Sequence, residues 1–174
     1  MHSTTEMFQA FDSEAVDPRA DRQAWMALLA RAPLDLLESA LAPWSSAAPD
    51  WLRKPETGLY MVQGRAGATG ERFNLGEVTV TRCALRLASG GARHVGVAYV
   101  LGRLHRKAHL AATADALLQD VAHREALDAN LLQPLRQWSA QRSAQRQAQA
   151  QSTKVEFFTV ARESGGADGD EDAP

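Results

Sequence analysis

The sequence predicts an α+β fold, an N-terminal helical hairpin and C-terminal helices packed on a small antiparallel sheet. Three observations lead there. Apolar residues recur at three- and four-residue spacing on both sides of the chain's middle. The middle itself is rich in β-branched residues punctuated by glycine, and a further β-rich stretch follows the last helical one.

The elements follow in chain order. Residues 1–16 carry no periodic pattern and are expected to be disordered. Asp17-Pro18 offers an N-cap followed by a proline suited to a first helical turn, and Ala24, Trp25, Leu28 and Leu29 form an apolar stripe. Pro33 opens a second short helix with Leu34, Leu37 and Leu41 on one face and Leu36 nearby. Pro43 and Pro49 end this part, and Lys54-Pro55-Glu56 reads as a polar turn. TGLYMVQGRA is a strand running into a loop at Gly64, Gly67 and Gly70. EVTVTRCALRL is the clearest strand. Val78, Val80, Arg82, Ala84 and Arg86 share one face, and Thr79, Thr81, Cys83, Leu85 and Leu87 the other. Ser89-Gly90-Gly91 is a turn, and ARHVGVAYVL returns as an antiparallel partner.

From Arg106 the period is helical again through Leu110, Ala114, Leu117 and Val121. Leu127, Leu131, Leu135 and Trp138 continue it, with a kink or break expected at Pro134. SAQRSAQRQAQAQ consists of good helix formers and reads as a solvated helical end. KVEFFTVAR, from Lys154 to Arg162, predicts a last strand, and the acidic, glycine-rich residues 163–174 a disordered tail. Residues 17–162 are thus expected to form a single domain.

Composition narrows the function classes. The chain of 174 residues, 45% hydrophobic and 23% charged, has the make-up of a soluble globular protein. Cys83 is the only cysteine, which excludes an internal disulfide and a thiolate-rich metal site. The N-terminal residues lack the apolar core of a secretory signal, and no apolar run approaches the roughly 20 residues of a membrane helix. A cytoplasmic protein is expected. The net charge of −2 hides an asymmetry. Between Trp51 and Leu110 ten Lys/Arg face three Asp/Glu, a balance of +7 that leaves −9 for the remainder. The same segment holds nine of the twelve glycines. Such a concentration suits an anionic ligand, an acidic protein surface or a plain solvated face.

No complete active site can be assembled from spacing. GRAGATG could cradle an anion with its backbone N–H groups, but it lacks the Gly-Lys-Ser/Thr of a P-loop and lies between two strands, as a hairpin loop would. His105 and His109 stand one helical turn apart without a third metal ligand, and read as exposed surface. Cys83 reads as a small buried hydrophobe and the four tryptophans as core or interface anchors. Glu56 and Glu77 border strands, where pairing with Arg53, Arg65 or Arg82 competes with any acid–base role. Arg82 and Arg86 interrupt an otherwise apolar strand face. Each requires a carboxylate within the chain, an acidic partner surface or a substrate phosphate. The substrate- or partner-binding candidates are therefore Arg65, Glu77, Arg82 and Arg86, with no catalytic residue and no metal ligand.

LRKPETGLYMVQGRAGATGERFNLGEVTVTRCALRL, followed by HVGVAYVLGR and TKVEFFTVAR, resembles the PhnG family, a component of the carbon–phosphorus lyase core complex, over roughly Trp25 to Arg162. The chain departs from that pattern at Gln63, Ala68 and Glu71-Arg72. The resemblance implies a subunit that is inactive alone and carries no cofactor. Its partners would be the other core components, PhnH, PhnI and PhnJ, and an ATPase-like subunit. The complex replaces the adenine of ATP with methylphosphonate, forming α-D-ribose 1-methylphosphonate 5-triphosphate. In that family the nucleosidase chemistry is attributed to PhnI and the iron–sulfur chemistry to PhnJ. The alternative is a stand-alone nucleotide- or nucleic-acid-binding module using segment 51–110. It lacks the aromatic-interleaved basic strands of single-strand binders.

Overall fold

The computed structural model describes residues 18–45, 48–67, 69–89 and 91–153. The expected strand over 154–162 and both expected disordered ends lie outside them. The described residues up to Ala140 form one compact unit and those from Gln141 onward belong to a second.

In the first unit, α1 (Pro18–Arg31) and α2 (Leu34–Leu41) are the expected helical pair, with Pro18 opening the first. Trp25 and Leu29 of α1 and Leu37 and Leu41 of α2 are buried. Ala24 and Leu34, both expected in the stripes, are exposed instead. Leu34 is the first residue of a two-turn helix, so its side chain leans back over the chain entry rather than onto the core. A 3₁₀ turn over Ala42–Trp44 carries Pro43 and ends α2.

The sheet is antiparallel in the order β1-β2-β3, with β1 Asp50–Arg65, β2 Arg72–Ser89 and β3 Ala92–Leu101. The expected turn at Lys54-Pro55-Glu56 is not one. These residues continue β1 through register shifts on either side of Arg53. Proline has no N–H to give a ladder and fits a bulge on an edge strand, which is where Pro55 sits. The alternation expected of β2 is observed: Thr81, Cys83, Leu85 and Leu87 are buried, while Arg82 stays exposed. Gly91, at φ +83°, makes the turn into β3.

Helix α3 (His105–Leu118) lies on the buried sheet face. It is alanine-rich, and every residue from Leu110 to Leu118 is buried beneath the sheet, α1, α2 and α4. Gly96 of β3 explains how close it comes: a Cβ there would lie 1.8 Å from the carbonyl oxygen of Ala112. The stripe expected to reach Val121 stops at Leu118. Asp120 accepts a hydrogen bond from the Ala122 N–H (2.9 Å) and caps a new helix, α4 (Val121–Leu127), leaving Val121 exposed. A π-helical turn over Asp128–Leu132 then leads into α5 (Gln133–Ser152). It precedes Pro134, whose missing N–H and ring disrupt a regular helix, as expected. Leu127, Leu131 and Leu135 are buried, and Trp138 is half-buried.

In the second unit, the residues of α5 from Gln141 are exposed, a solvated helical end as expected. Among the described residues no helix is long and apolar enough to cross a membrane.

Candidate functional site

The outer sheet face carries the two arginines of β2. Glu56 stands directly opposite Arg82 in register, and Asp50 opposite Arg86. Arg82 Nε donates to Glu56 Oε1 at 2.6 Å, and Arg53 Nη1 donates to the same oxygen. The hydrogen bonds from Arg53 and Arg82 hold the Glu56 carboxyl below the usual range. Arg86 Nη1 donates to Asp50 Oδ2 at 3.1 Å. Of the three fates open to these arginines, a carboxylate of the chain itself is realised for both. Their side chains remain part-exposed, so each fork retains donors free to meet an external anion.

Glu77 and Arg65 are placed elsewhere. Glu77 pairs in register with Met61 and alternates onto the face opposite Arg82. It forms no ion pair among the described residues, so the pairing expected with Arg53, Arg65 or Arg82 is absent. Arg65 ends β1 opposite Arg72, at the hairpin tip. From there to Arg86 is about 48 Å along β2 at a rise of roughly 3.4 Å per residue. The four candidates therefore do not form one site. Between β1 and β2 a Cβ at Gly70 would lie 2.0 Å from the Ala66 carbonyl oxygen, the close approach of a hairpin turn.

Two polar centres went unpredicted. Asp115 is fully buried in α3, and its carboxylate accepts four hydrogen bonds. Arg22 Nε and Trp25 Nε1 donate to Oδ1 (3.1 and 2.9 Å), and Arg22 Nη2 and the Val97 N–H to Oδ2 (2.8 and 2.9 Å). The pairing raises the Arg22 pKa against the opposing pull of burial. Arg22 Nη2 and Gln119 Nε2 also reach the Val95 carbonyl oxygen (3.0 and 2.8 Å). At Val95 and Val97 the edge of β3 is thereby met by side chains, with no further strand beside it among the described residues. The only sequence signal was a lone carboxylate inside the apolar run AHLAATADALL.

The second centre is Thr81. Its hydroxyl donates to the Gly102 carbonyl oxygen (2.6 Å) and accepts from the Leu104 N–H (3.0 Å), tying down the start of α3, which has no side-chain cap of its own. With that proton committed, Thr57 Oγ1 must donate to Thr81 (3.4 Å) and accept from His105 Nε2 (2.9 Å). His109, expected at the surface, is half-buried against Trp51, ring centroids 4.9 Å apart. Burial, then the nearby Arg106 charge, lowers its pKa. Cys83 is buried as expected, its thiol pushed up to about 11 by desolvation, which makes it a poor nucleophile.

Where β1 and β2 extend past the end of β3, Tyr60, Val80, Tyr99 and Leu101 line an apolar groove of about 410 Å³. A second groove, about 660 Å³ and of mixed polarity, runs between α1 and the α4–α5 region beside Trp25, Arg124 and the Arg136–Asp128 pair (3.0 Å). Neither gathers a nucleophile and a base. Among the described residues no three His, Cys, Asp or Glu side chains converge to hold a metal. Among the described residues the arrangement offers part-exposed arginine donors and two grooves that can bind.

Residues 20–163 match the family model described as phosphonate metabolism protein PhnG. A relative from Rhizobium meliloti (strain 1021), named alpha-D-ribose 1-methylphosphonate 5-triphosphate synthase subunit PhnG, is 41% identical over 146 residues, covering 82% of this chain and 90% of the relative.

Proposed function

Because the chain belongs to the phosphonate metabolism protein PhnG family, we propose that it is a non-autonomous subunit of α-D-ribose 1-methylphosphonate 5-triphosphate synthase. The enzyme's reaction, in this reading, breaks the bond between ribose C1′ and adenine in ATP and forms one from C1′ to a methylphosphonate oxygen. Adenine leaves with the proton that methylphosphonate gives up. The observation that carries the subunit role is the match over residues 20–163, held by a chain whose candidate side chains lie on different faces and at opposite ends of one hairpin.

The other core components, PhnH, PhnI and PhnJ, and the ATPase-like subunit are the partners proposed, in the cytoplasm. This chain brings no cofactor of its own. Arg82 and Arg86, each holding one internal carboxylate and retaining free donors, are the residues proposed to touch a partner or a substrate phosphate, with Arg65 and Glu77 at the hairpin as secondary contacts. The test is turnover by the purified chain alone, given ATP and methylphosphonate. No adenine release is expected, and release at the rate of the assembled enzyme would overturn the subunit reading.

A further inference from the structure

We propose that the β1–β2 hairpin beyond the end of β3 is a docking arm that inserts into another subunit of the same complex, at an apolar surface rimmed with acidic residues. The inference rests on the subunit reading above and adds where the contact is made. Strand β3 pairs with β2 only as far as Leu101 opposite Val80. The Gly102 N–H then donates to the Thr79 carbonyl oxygen (2.8 Å), and at φ +88° the chain turns away. Past that point residues 58–65 and 72–79 form a ribbon that no third strand joins among the described residues. Such ribbons are at best marginally stable in water.

The side chains of the ribbon are unsuited to water on both faces. Leu59 (67% exposed) and Tyr60 (61%) are adjacent and point to opposite sides, and Leu75 (67%) is equally bare. Phe73 covers Gly64, whose Cβ would lie 3.3 Å from the ring, so the arm has some internal packing, but among the described residues nothing buries Leu59, Tyr60 or Leu75. At its root lies the groove of Tyr60, Val80, Tyr99 and Leu101. A flat surface would bury one face only, so the occupant must grip the ribbon from both sides and fill the groove.

Charge selects that occupant. Around the root, Arg53 and Arg82 share the single carboxylate of Glu56, and the exposed Lys54 and Arg103 form no ion pair among the described residues. A second copy meeting the arm through the same patch would set one basic collar against another, whereas an acidic rim on a different subunit complements it.

The test is co-expression of the chain with the other synthase subunits and recovery of the complex on a tag carried by this chain. Leu59→Ser with Tyr60→Ser should recover at least about tenfold less partner than wild type while keeping its circular dichroism and melting temperature. p-Benzoylphenylalanine placed at Tyr60 in an otherwise unaltered chain gives an independent reading if that variant folds poorly. It should crosslink to an acidic-flanked peptide of a different subunit. Wild-type recovery by the double variant, or a crosslink to a second copy of this chain, would overturn the arm while leaving the subunit reading standing. If the wild-type chain recovers no synthase subunit at all, both readings fall.

Discussion

Arg22 and Asp115 lie 93 residues apart in sequence, yet the guanidinium of one meets the buried carboxylate of the other through two hydrogen bonds, at 3.1 and 2.8 Å. Trp25 and the Val97 N–H complete the shell, so α1, α3 and the free edge of β3 are held by one side chain. A buried ion pair contributes modestly when intact, but losing either partner strands the other without compensation.

Asp115→Ala is therefore expected to destabilise the fold by about 3–5 kcal/mol. Arg22→Ala should cost at least as much, because it strands the fully buried Asp115 carboxylate, whereas Asp115→Ala leaves an arginine that is part-solvated. A double-mutant cycle by urea denaturation should show strong coupling between the two, and additive losses would contradict the pairing.

Gly96→Ala should be more severe than ordinary overpacking, which costs about 1–3 kcal/mol. The added Cβ would meet backbone atoms of both Ala112 and Ala116, not flexible side-chain ends. Soluble expression and thermal melting check this. A variant as stable as wild type would mean that α3 does not sit against β3 as described.

His109 predicts a pH dependence. Its folded-state pKa lies below the ordinary 6.5, so below that value the unfolded chain binds the proton more readily. The contribution to stability is present above pH 6.5 and is lost as pH falls through the folded-state pKa. His109→Gln should flatten the fall in melting temperature between pH 7 and pH 5, whereas an unchanged slope would assign it to other groups.

Arg82→Ala should leave folding stability close to that of wild type, since its ion pair with Glu56 is solvent-exposed. Assembly with the other subunits, or turnover of the assembled enzyme, should fall about tenfold if the fork also meets a rim carboxylate or a phosphate. Arg82→Lys should restore part of it, because a point charge cannot reproduce bidentate bonding. Co-purification and turnover on one preparation measure both, and wild-type values for each would confine Arg82 to its pairing with Glu56.

The parts of this fold legible in the sequence are those governed by local period. The alternation along β2 told which residues face the core, and the leucine spacing told which helix faces are buried. Lys54-Pro55-Glu56 misled because a bulged edge strand tolerates the same residues as a turn. Val121 misled because Asp120 starts a new helix within an unbroken apolar period. The Arg22–Asp115 pair had no local signature, since its partners meet only through tertiary packing. Glu56 and Arg82 were legible as candidate partners from residue type, but which carboxylate serves Arg86 depended on a register shifted twice by bulges.

Reconstitution decides whether this chain is a required but non-catalytic subunit of the synthase. Adenine release from ATP and methylphosphonate is measured with the remaining core subunits, with and without this chain. Turnover is predicted only when the chain is present, with none from the chain alone. Equal rates with and without it would contradict the account.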